Sequence, residues 1–329
     1  MANIKEIKRR IKSISNTKKI TKAMEMVAAT KMKKAIEAVL KTRTYANLSW
    51  TTVLNIASSV NSNKDLHPLL CNRKEDKKIG IVLFTSNRGL CGGFNSAIIN
   101  KAHQSVLKHC GETGKEIGNR VSKIPEEFII VGKKGLAVNS WFNYKIVAEF
   151  PKLDIAYEVK EVIAIAKLII DDFLKHKYDK ILVAYTDFAS VSKQVPRIKQ
   201  ILPIDLNARD DHLGVVGQSA KVGTTKKYIK EKEEKYLHDK KNKYLFTYEP
   251  SPEKVLDAML PRLIEIQLFQ ALLESNASEH SARMTAMHQA TDAANDMVDE
   301  LTLFYNKARQ ASITQEIAEI SAGAKSMVN

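Results

Sequence analysis

No glycine or proline occurs before Pro68, and none occurs from Arg262 to Ala322. These are the two residues that most often stop or bend regular structure. A helix spanning about 60 residues would be about 90 Å long at 1.5 Å per residue. That exceeds the diameter of any domain that a chain of 329 residues can build. The two ends are therefore expected to be long helices, with the residues between them forming a globular insert. The whole chain carries only 13 glycines and 8 prolines, against a usual combined share of about 12%. So few turn-formers argue against a sandwich, barrel or propeller, and the length suits about two domains.

The first helix carries Ile4, Ile7, Ile11 and Ile14, a 3-4-3 spacing that lays a narrow apolar seam along one side. The seam is then expected to drift, through Ile20, Met24, Val27 and Ile36. The last helix reads Met284, Met287, Thr291, Ala294, Val298, Leu301, Tyr305, Ala308, in alternating steps of 3 and 4. Its small members, Thr291, Ala294 and Ala308, would let a partner helix approach closely. Ser251-Pro252-Glu253 is a start signal with proline in the first turn, and Pro261 is a candidate kink or restart. A narrow seam cannot satisfy itself, and both seams flank one insert. The expected arrangement is an antiparallel coiled coil of the N- and C-terminal helices. Charge agrees: residues 1–45 hold 13 Lys/Arg and 3 Asp/Glu, whereas residues 276–329 hold 4 and 7. Opposite signs favour association, although each surface pair adds little.

The middle differs in kind. Buried strands are expected at Lys78–Thr85, Glu127–Val131, Lys145–Phe150 and Lys180–Thr186, with helices near Ser96–His109, Lys134–Trp141 and Ala156–His176. Apolar strands alternating with helices imply a central Rossmann-like α/β domain with a mainly parallel sheet. Residues 207–243 read as a charged, solvated, partly helical insertion. The expected division is an N-terminal coiled-coil helix over 1–67 and an α/β domain over 68–206. A charged insertion and linker over 207–250 and a C-terminal coiled-coil helix over 251–329 complete it.

The formal net charge of +15 implies an acidic partner: nucleic acid, an anionic membrane surface, or acidic protein loops. Cys71, Cys91 and Cys110, with no CxxC among them, make no disulfide framework and read as thiols of a reducing compartment. The opening MANIKEIKRRIK lacks the apolar core of a signal peptide, and Glu6 weighs against a transit peptide. The longest apolar run, around Val159 to Phe173, is broken by Lys167, Asp171 and Asp172, so no membrane insertion is expected.

Several groups of residues are candidates for chemistry. RGLCGGFN (88–95) follows the first strand, where a glycine-rich turn can cradle phosphate. Its spacing fits neither GxGxxG nor GxxxxGK[ST]. Arg88, Gly89, Cys91, Gly92 and Gly93 are read as a structural turn, and Cys91 has no basic partner nearby in sequence to make it a nucleophile. The histidines form no HExxH. His280 and His288 share a helix face two turns apart, so no metal site is assigned. The basic residues between 5 and 43 have no interleaved aromatics before Tyr45, which disfavours nucleic acid. KITKAMEMVAATKM (19–32) sets Met24 and Met26 among lysines. Methionine suits a surface that meets several partners in turn, or ordinary seam packing. NKARQASITQEIAEI (306–320) clusters Arg309, Gln310, Thr314 and Glu316, either a solvated helix face or a docking point for a carboxylate loop. No catalytic residue or cofactor site is assigned.

KITKAMEMVAATKM, RGLCGGFN, SKQVPRIKQILPI (192–204) and the long run ASEHSARMTAMHQATDAANDMVDELTLFYNKARQASITQEIAEISAG (277–323) resemble the gamma subunits of F-type ATP synthases. The resemblance covers the chain apart from about 207–243. It implies a non-catalytic central rotor shaft. The terminal helices would lie inside a hexamer of alternating alpha and beta subunits, and the α/β domain would lie on the membrane side with the epsilon subunit and the ring of c subunits. Catalysis would occur on beta, and proton (or sodium) flow would be coupled to ATP synthesis or hydrolysis. It implies rotor–stator contacts at Met24 and Lys22, and coupling roles at Arg283, Arg309, Gln310, Thr314 and Glu316. It also implies a peripheral location on the cytoplasmic side of a bacterial inner membrane. Two departures stand out: the insertion 207–243, which lacks the paired cysteines of redox-regulated relatives, and Asn87, where many relatives carry Asp.

Two rival readings follow from the residues alone. One is an independent coiled-coil scaffold or nucleic-acid binder with an α/β head, which would show salt-sensitive DNA affinity. The other is a nucleotide-dependent enzyme built on the central domain, which would show turnover by the purified chain. A rotor subunit shows neither.

Overall fold

In the computed structural model the described residues are 4–59, 67–71, 78–113, 126–154, 158–204 and 249–328. The charged insertion expected at 207–243 lies outside them. Five strands make one sheet: β1 Ile79–Phe84, β2 Glu127–Val131, β3 Lys145–Phe150, β4 Lys180–Phe188 and β5 Gln194–Leu202. Their order is β3-β2-β1-β4-β5. β1 pairs parallel with β2 and β4, and β2 pairs parallel with β3. β1, in the centre, is buried along its whole length, which explains its unbroken apolar run.

The sequence did not announce β5. It pairs antiparallel with β4, and its half-buried QVPRIKQIL reads as mixed because only one edge is bonded. Pro196 sits on this edge strand, where its missing N–H interrupts no further ladder.

Alternate residues of the strands build two cores. One face carries Ile81, Leu83, Phe128, Ile130 and Leu182, packed with Ile98, Ile99 and Ala102 of helix α2 (Phe94–Thr113) and Val138 of the short α3 (Ala137–Phe142). The other carries Val82, Phe84, Ile129, Val131, Val183 and Tyr185. It is covered by α4 (Lys160–Leu174), by Val53 and Ile56 of α1 (Ile4–Ser59), and by Leu256 to Leu273 of α5 (Pro252–Val328). A single 3₁₀ turn, Lys133–Leu136, precedes α3. The approach there is close: a Cβ on Gly132, with φ 103°, would lie 2.4 Å from the Thr85 carbonyl oxygen. Only glycine fits that backbone.

The helix expected at Ala156–His176 begins later, at Lys160, and that at Lys134–Trp141 splits into the 3₁₀ turn and α3. α5 starts as its signal suggests: Pro252 is the first helical residue, and the Ser251 carbonyl accepts from Val255 N–H at 3.1 Å. Pro261 does not end the helix. Leu260, Leu263 and Ile264 beside it are all buried, and that packing outweighs the lost hydrogen bond.

The chain divides into two compact units: Met1–Ala29 with Arg283–Asn329, and Thr30–Ala282. In the first, α1 and α5 run antiparallel, with the Thr21 and Thr291 hydroxyls 2.9 Å apart. The α5 seam is the expected one: Met287, Thr291 and Ala294 are buried, and Val298, Leu301, Tyr305 and Ala308 are half-buried among exposed neighbours. The α1 seam corrects the expected drift. Its covered positions continue in strict steps through Lys18, Thr21, Glu25 and Ala28, while Ile20 is 60% exposed and Val27 56%. From Lys18 to Glu25 polar residues take seam positions while Ile20 and Val27 face out, although Met24 and Ile36 of the expected drift stay half-buried.

At the N-terminal end of the sheet, Tyr178 donates to Glu127 Oε2 at 2.6 Å, and Lys145 Nζ lies 2.6 Å from Glu127 Oε1. Burial, and then the Glu127 carboxylate, push the Tyr178 phenol up to about 12. Replacing Tyr178 with Phe keeps the ring and removes this charge-assisted bond. The urea midpoint is expected to fall by an amount equivalent to about 1.5–3 kcal/mol, with an unchanged denaturant slope. An unaltered midpoint would remove the bond from the account.

Candidate functional site

Two groups of candidate residues lie along the paired helices. The first surrounds Met24. Lys22 is exposed, and its ammonium lies 3.0 Å from Glu25 Oε1. Glu25 occupies a seam position, so its carboxylate is largely covered and also faces His288 Nδ1 at 3.5 Å. His288 Nε2 lies 3.5 Å from Asp292. Met24 beside it is half-buried, as is Arg283 on α5. Around them Ile20, Met26 and Val27 are turned outward. The middle of this coil is thus held by small and polar residues, and its apolar side chains are left for something else to touch.

The second group lies farther along α5, roughly 30 Å away at 1.5 Å per residue. The Thr21–Thr291 register places Ile4 opposite Ala308. Beyond Ser312 the described α5 residues up to Ala322 are all exposed, among them Thr314 and Glu316, and Arg309 and Gln310 just before it are exposed too. Thr314 Oγ1 donates to its own helix at Gln310 O, 2.9 Å, and Ser312 Oγ lies 3.4 Å from Glu316 Oε1. Ile313, Ile317 and Ile320 make an exposed stripe on the same stretch. Met24 and Lys22 are therefore not brought together with Arg309, Gln310, Thr314 and Glu316. They form two separate surfaces.

RGLCGGFN leaves β1 and enters α2. Leu90 (φ 62°) and Gly92 (φ 55°) both adopt left-handed backbone, which helps the nine residues between Phe84 and Phe94 turn from strand to helix. Asn95 fastens the turn: its Oδ1 accepts from Ser86 N–H at 3.0 Å, and its Nδ2 donates to Ser86 Oγ at 2.8 Å and Cys91 Sγ at 3.2 Å. Arg88, Gly89, Gly92 and Gly93 are exposed and Cys91 is buried.

Asn87 uses both ends of its amide. Its Nδ2 donates to the Lys152 carbonyl, and its Oδ1 accepts from Lys133 N–H at 3.3 Å. A carboxylate accepts only, so Asp could keep the second bond and not the first. This couples the turn to the loop after β3, residues 151–154, which reaches both long helices. Lys31 of α1 bonds Asp154 Oδ2 at 2.7 Å, and Lys152 bonds Glu279 Oε2 of α5 at 2.8 Å. The Lys31 ammonium holds the Asp154 carboxyl below the usual carboxylate range. Sequence reading missed this loop because PKLD carries no motif; its only signal is two charges flanking an apolar residue beside a strand end.

Among the described residues no group of His, Cys, Asp or Glu could hold a metal ion, and no helix is long and apolar enough to cross a membrane.

The family model of ATP synthase matches residues 3–327. The chain belongs to the ATP synthase gamma-chain family. An ATP synthase gamma chain of Nitrosomonas eutropha is 35% identical over 326 residues, covering 98% of this chain and 99% of the relative. One from Dehalococcoides mccartyi is 38% identical over 327 residues, 99% and 100% of the two chains. Among solved structures, a chain of the Tetrahymena thermophila mitochondrial ATP synthase central stalk and c-ring matches with TM-score 0.56. It is 24% identical and covers 82% of this chain and 99% of its own length. A chain of the Euglena gracilis mitochondrial ATP synthase matches with TM-score 0.58 at 16% identity, over 98% and 94%. At these identities the structures bear on the fold alone. They agree on long helices joined to an α/β body.

The Lys31–Asp154 pair gives a pH test. The carboxyl is depressed on folding, so its contribution is complete above the ordinary value of 3.8 and is lost as pH falls through the lower folded value. With both groups partly exposed, the contribution is at most about 1 kcal/mol. Urea midpoints of the parent and Asp154→Asn are expected to differ near pH 6 and to converge in strong acid. A gap that stays constant across the range would show that the pair does not titrate on folding.

Proposed function

We propose that this chain is the central stalk of a bacterial rotary ATP synthase, coupling proton translocation to ATP synthesis or hydrolysis. The reading rests on one observation above others. The two ends of a gamma-family chain wind antiparallel on a seam whose middle is rich in small and polar residues, leaving a cationic outer surface studded with Met26, Ile20 and Val27. Such a surface makes weak, replaceable contacts, which a shaft needs if it is to leave one neighbour for the next.

The shaft lies within the hexamer of alpha and beta subunits, and its α/β body meets the epsilon subunit and the c-ring. Catalysis resides on beta, and this chain carries no catalytic residue. A single asymmetric shaft presents a different face to each of three beta subunits and biases each toward a different nucleotide affinity. The bias is reciprocal, since nucleotide binding shifts the preferred shaft angle by the same free energy. The complex sits peripherally on the cytoplasmic side of the inner membrane. Within the chain, segments 1–67 and 251–329 serve as the shaft, 68–206 as the body and 207–250 as a charged insertion. Met24, Lys22 and Arg283 form one rotor–stator contact, and Arg309, Gln310, Thr314 and Glu316 a second nearer the tip. Arg88, Gly89, Cys91, Gly92 and Gly93 serve as a structural turn.

The experiment is reconstitution of the synthase with and without this chain. ATP-driven proton pumping is expected only with it; pumping by a complex that lacks it ends the proposal. Met24→Lys adds a second ammonium beside Glu25, which already holds Lys22, so the new charge is free to reach acidic stator loops. Protons pumped per ATP are expected to fall while hydrolysis persists. An unchanged ratio would remove Met24 from the contact surface.

A further inference from the structure

Residues 274–281 of α5, ESNASEHS, are anomalous. Seven of these eight residues are polar or charged, yet all eight are at most 5% exposed. The preceding stretch of the helix is covered by ordinary apolar packing from Leu256 to Leu273. Burying this many polar groups is unfavourable unless they meet partners, and for six of the seven the partners come from three different parts of the α/β body.

On one side, Lys152 reaches Glu279 Oε2 at 2.8 Å and Ser275 Oγ at 3.3 Å, with both ionic side chains nearly closed to water at 2% and 6%. Lys152 Nζ also stands 5.6 Å from the centre of the Phe94 ring, at the start of α2. Next around the helix, Asn276 Nδ2 faces the Leu153 carbonyl at 3.4 Å, and His280 Nε2 lies 2.8 Å from the Asp154 carbonyl oxygen. On the opposite flank, Ser278 donates to Thr186 O at 3.0 Å, at the end of β4. Ser281 donates to Val191 O at 2.8 Å and meets Gln194 Nε2 at 3.2 Å. At 100° per residue these contacts embrace about 260° of the helix circumference. Ser275, Ala277, Ser278 and Ser281 are small, which is what lets the loop after β3, the end of β4 and the β4–β5 turn close on one helix.

Apolar burial is nondirectional, so a helix held by leucines alone can turn about its axis or slip by a ridge at modest cost. Directed bonds to fixed carbonyls and a buried ion pair cannot be kept through such a movement. We infer that residues 274–281 are a rotational key. The collar formed by Lys152, Leu153, Asp154, Thr186, Val191 and Gln194 fixes the azimuth of α5 within the α/β body, and the Lys152–Glu279 pair is its pin. Register selection is the best-attested use of buried polar groups. α5 continues unbroken to Val328, so a torque applied to the body enters the shaft at this collar. The inference deepens the rotor reading and rests on it. Lys152 and Glu279 are positioning residues that touch no nucleotide.

The test uses the assembled membrane-bound synthase containing this chain. Three forms are compared: the parent, Glu279→Gln, and the double variant Lys152→Met with Glu279→Met. The double variant removes both charges and keeps the volume, so no unpaired buried ion is left to unfold the body. Each form is assayed for thermal midpoint, uncoupled ATP hydrolysis, and ATP synthesis at increasing imposed proton gradients. The double variant is expected to melt with the parent and to hydrolyse ATP at the parental rate. Its synthesis is expected to fall by about threefold or more, with the deficit growing as the gradient rises, because load is what makes a loosened key slip. Glu279→Gln is expected to show the same load-dependent deficit together with a lowered midpoint. Parental synthesis by the double variant at every gradient would overturn the key, since apolar packing would then suffice to hold the helix. A parent complex that makes no ATP under any gradient would instead overturn the rotor reading beneath it.

Discussion

One helix has to serve three solvents in turn. From Leu256 to Leu273, α5 lies in an apolar core against the sheet. From Glu274 to Ser281 it is buried among polar loops. From Met287 to Ala308 it shows a single covered stripe to α1 and water elsewhere. An α-helix satisfies its own backbone wherever it runs, so one element can cross all three settings without a break. The side-chain pattern changes at each border instead. This continuity underlies the proposed function, because a torque can be handed along a rod only if nothing in the rod unwinds.

The coil itself is held with restraint. Lys18, Thr21 and Glu25 occupy seam positions of α1 where a stable dimer would place leucine or isoleucine. Thr21 against Thr291 and Glu25 against His288 supply specificity at little energy. The apolar residues displaced from the seam, Ile20 and Val27, look outward. A shaft bound this way gains stiffness from its helices and keeps its stickiness on the outside, available to a surrounding ring. In the α/β body the choice is reversed, with buried ions and directed bonds gripping α5 from three sides.

The loop after β3 ties these levels together. Four residues, Pro151 to Asp154, touch Asn87 of the glycine-rich turn, Lys31 of α1 and Glu279 of α5. Asn87 is fitted to this arrangement because its amide donates and accepts at once, which a carboxylate cannot do. In the proposed reading, rotor–stator contact and anchorage are separate devices. The first lies on exposed helix faces, and the second lies in a buried collar.

Much of this was legible in the residues. The absence of glycine and proline at both ends determined long helices, because nothing there could stop one. The 3-4 spacing of Met287 to Ala308 determined the covered stripe of α5, since a period near 3.5 admits one packing face. The apolar runs determined a mainly parallel sheet, although its edge strand β3 is not buried as expected, and the family motifs determined the family. Tertiary structure alone decided the rest. The continuation of the α1 seam was hidden because apolarity and burial part company there, and only the opposing Thr291 and His288 show which face is covered. β5 was hidden because an edge strand needs just one neighbour. The burial of ESNASEHS was hidden most completely: a run of serines and acids reads as solvated until the segments that supply its hydrogen bonds are brought in from 87 to 127 residues away along the chain. Sequence records each residue's preference, but whether a polar side chain faces water or a carbonyl is decided by residues that only the fold makes its neighbours.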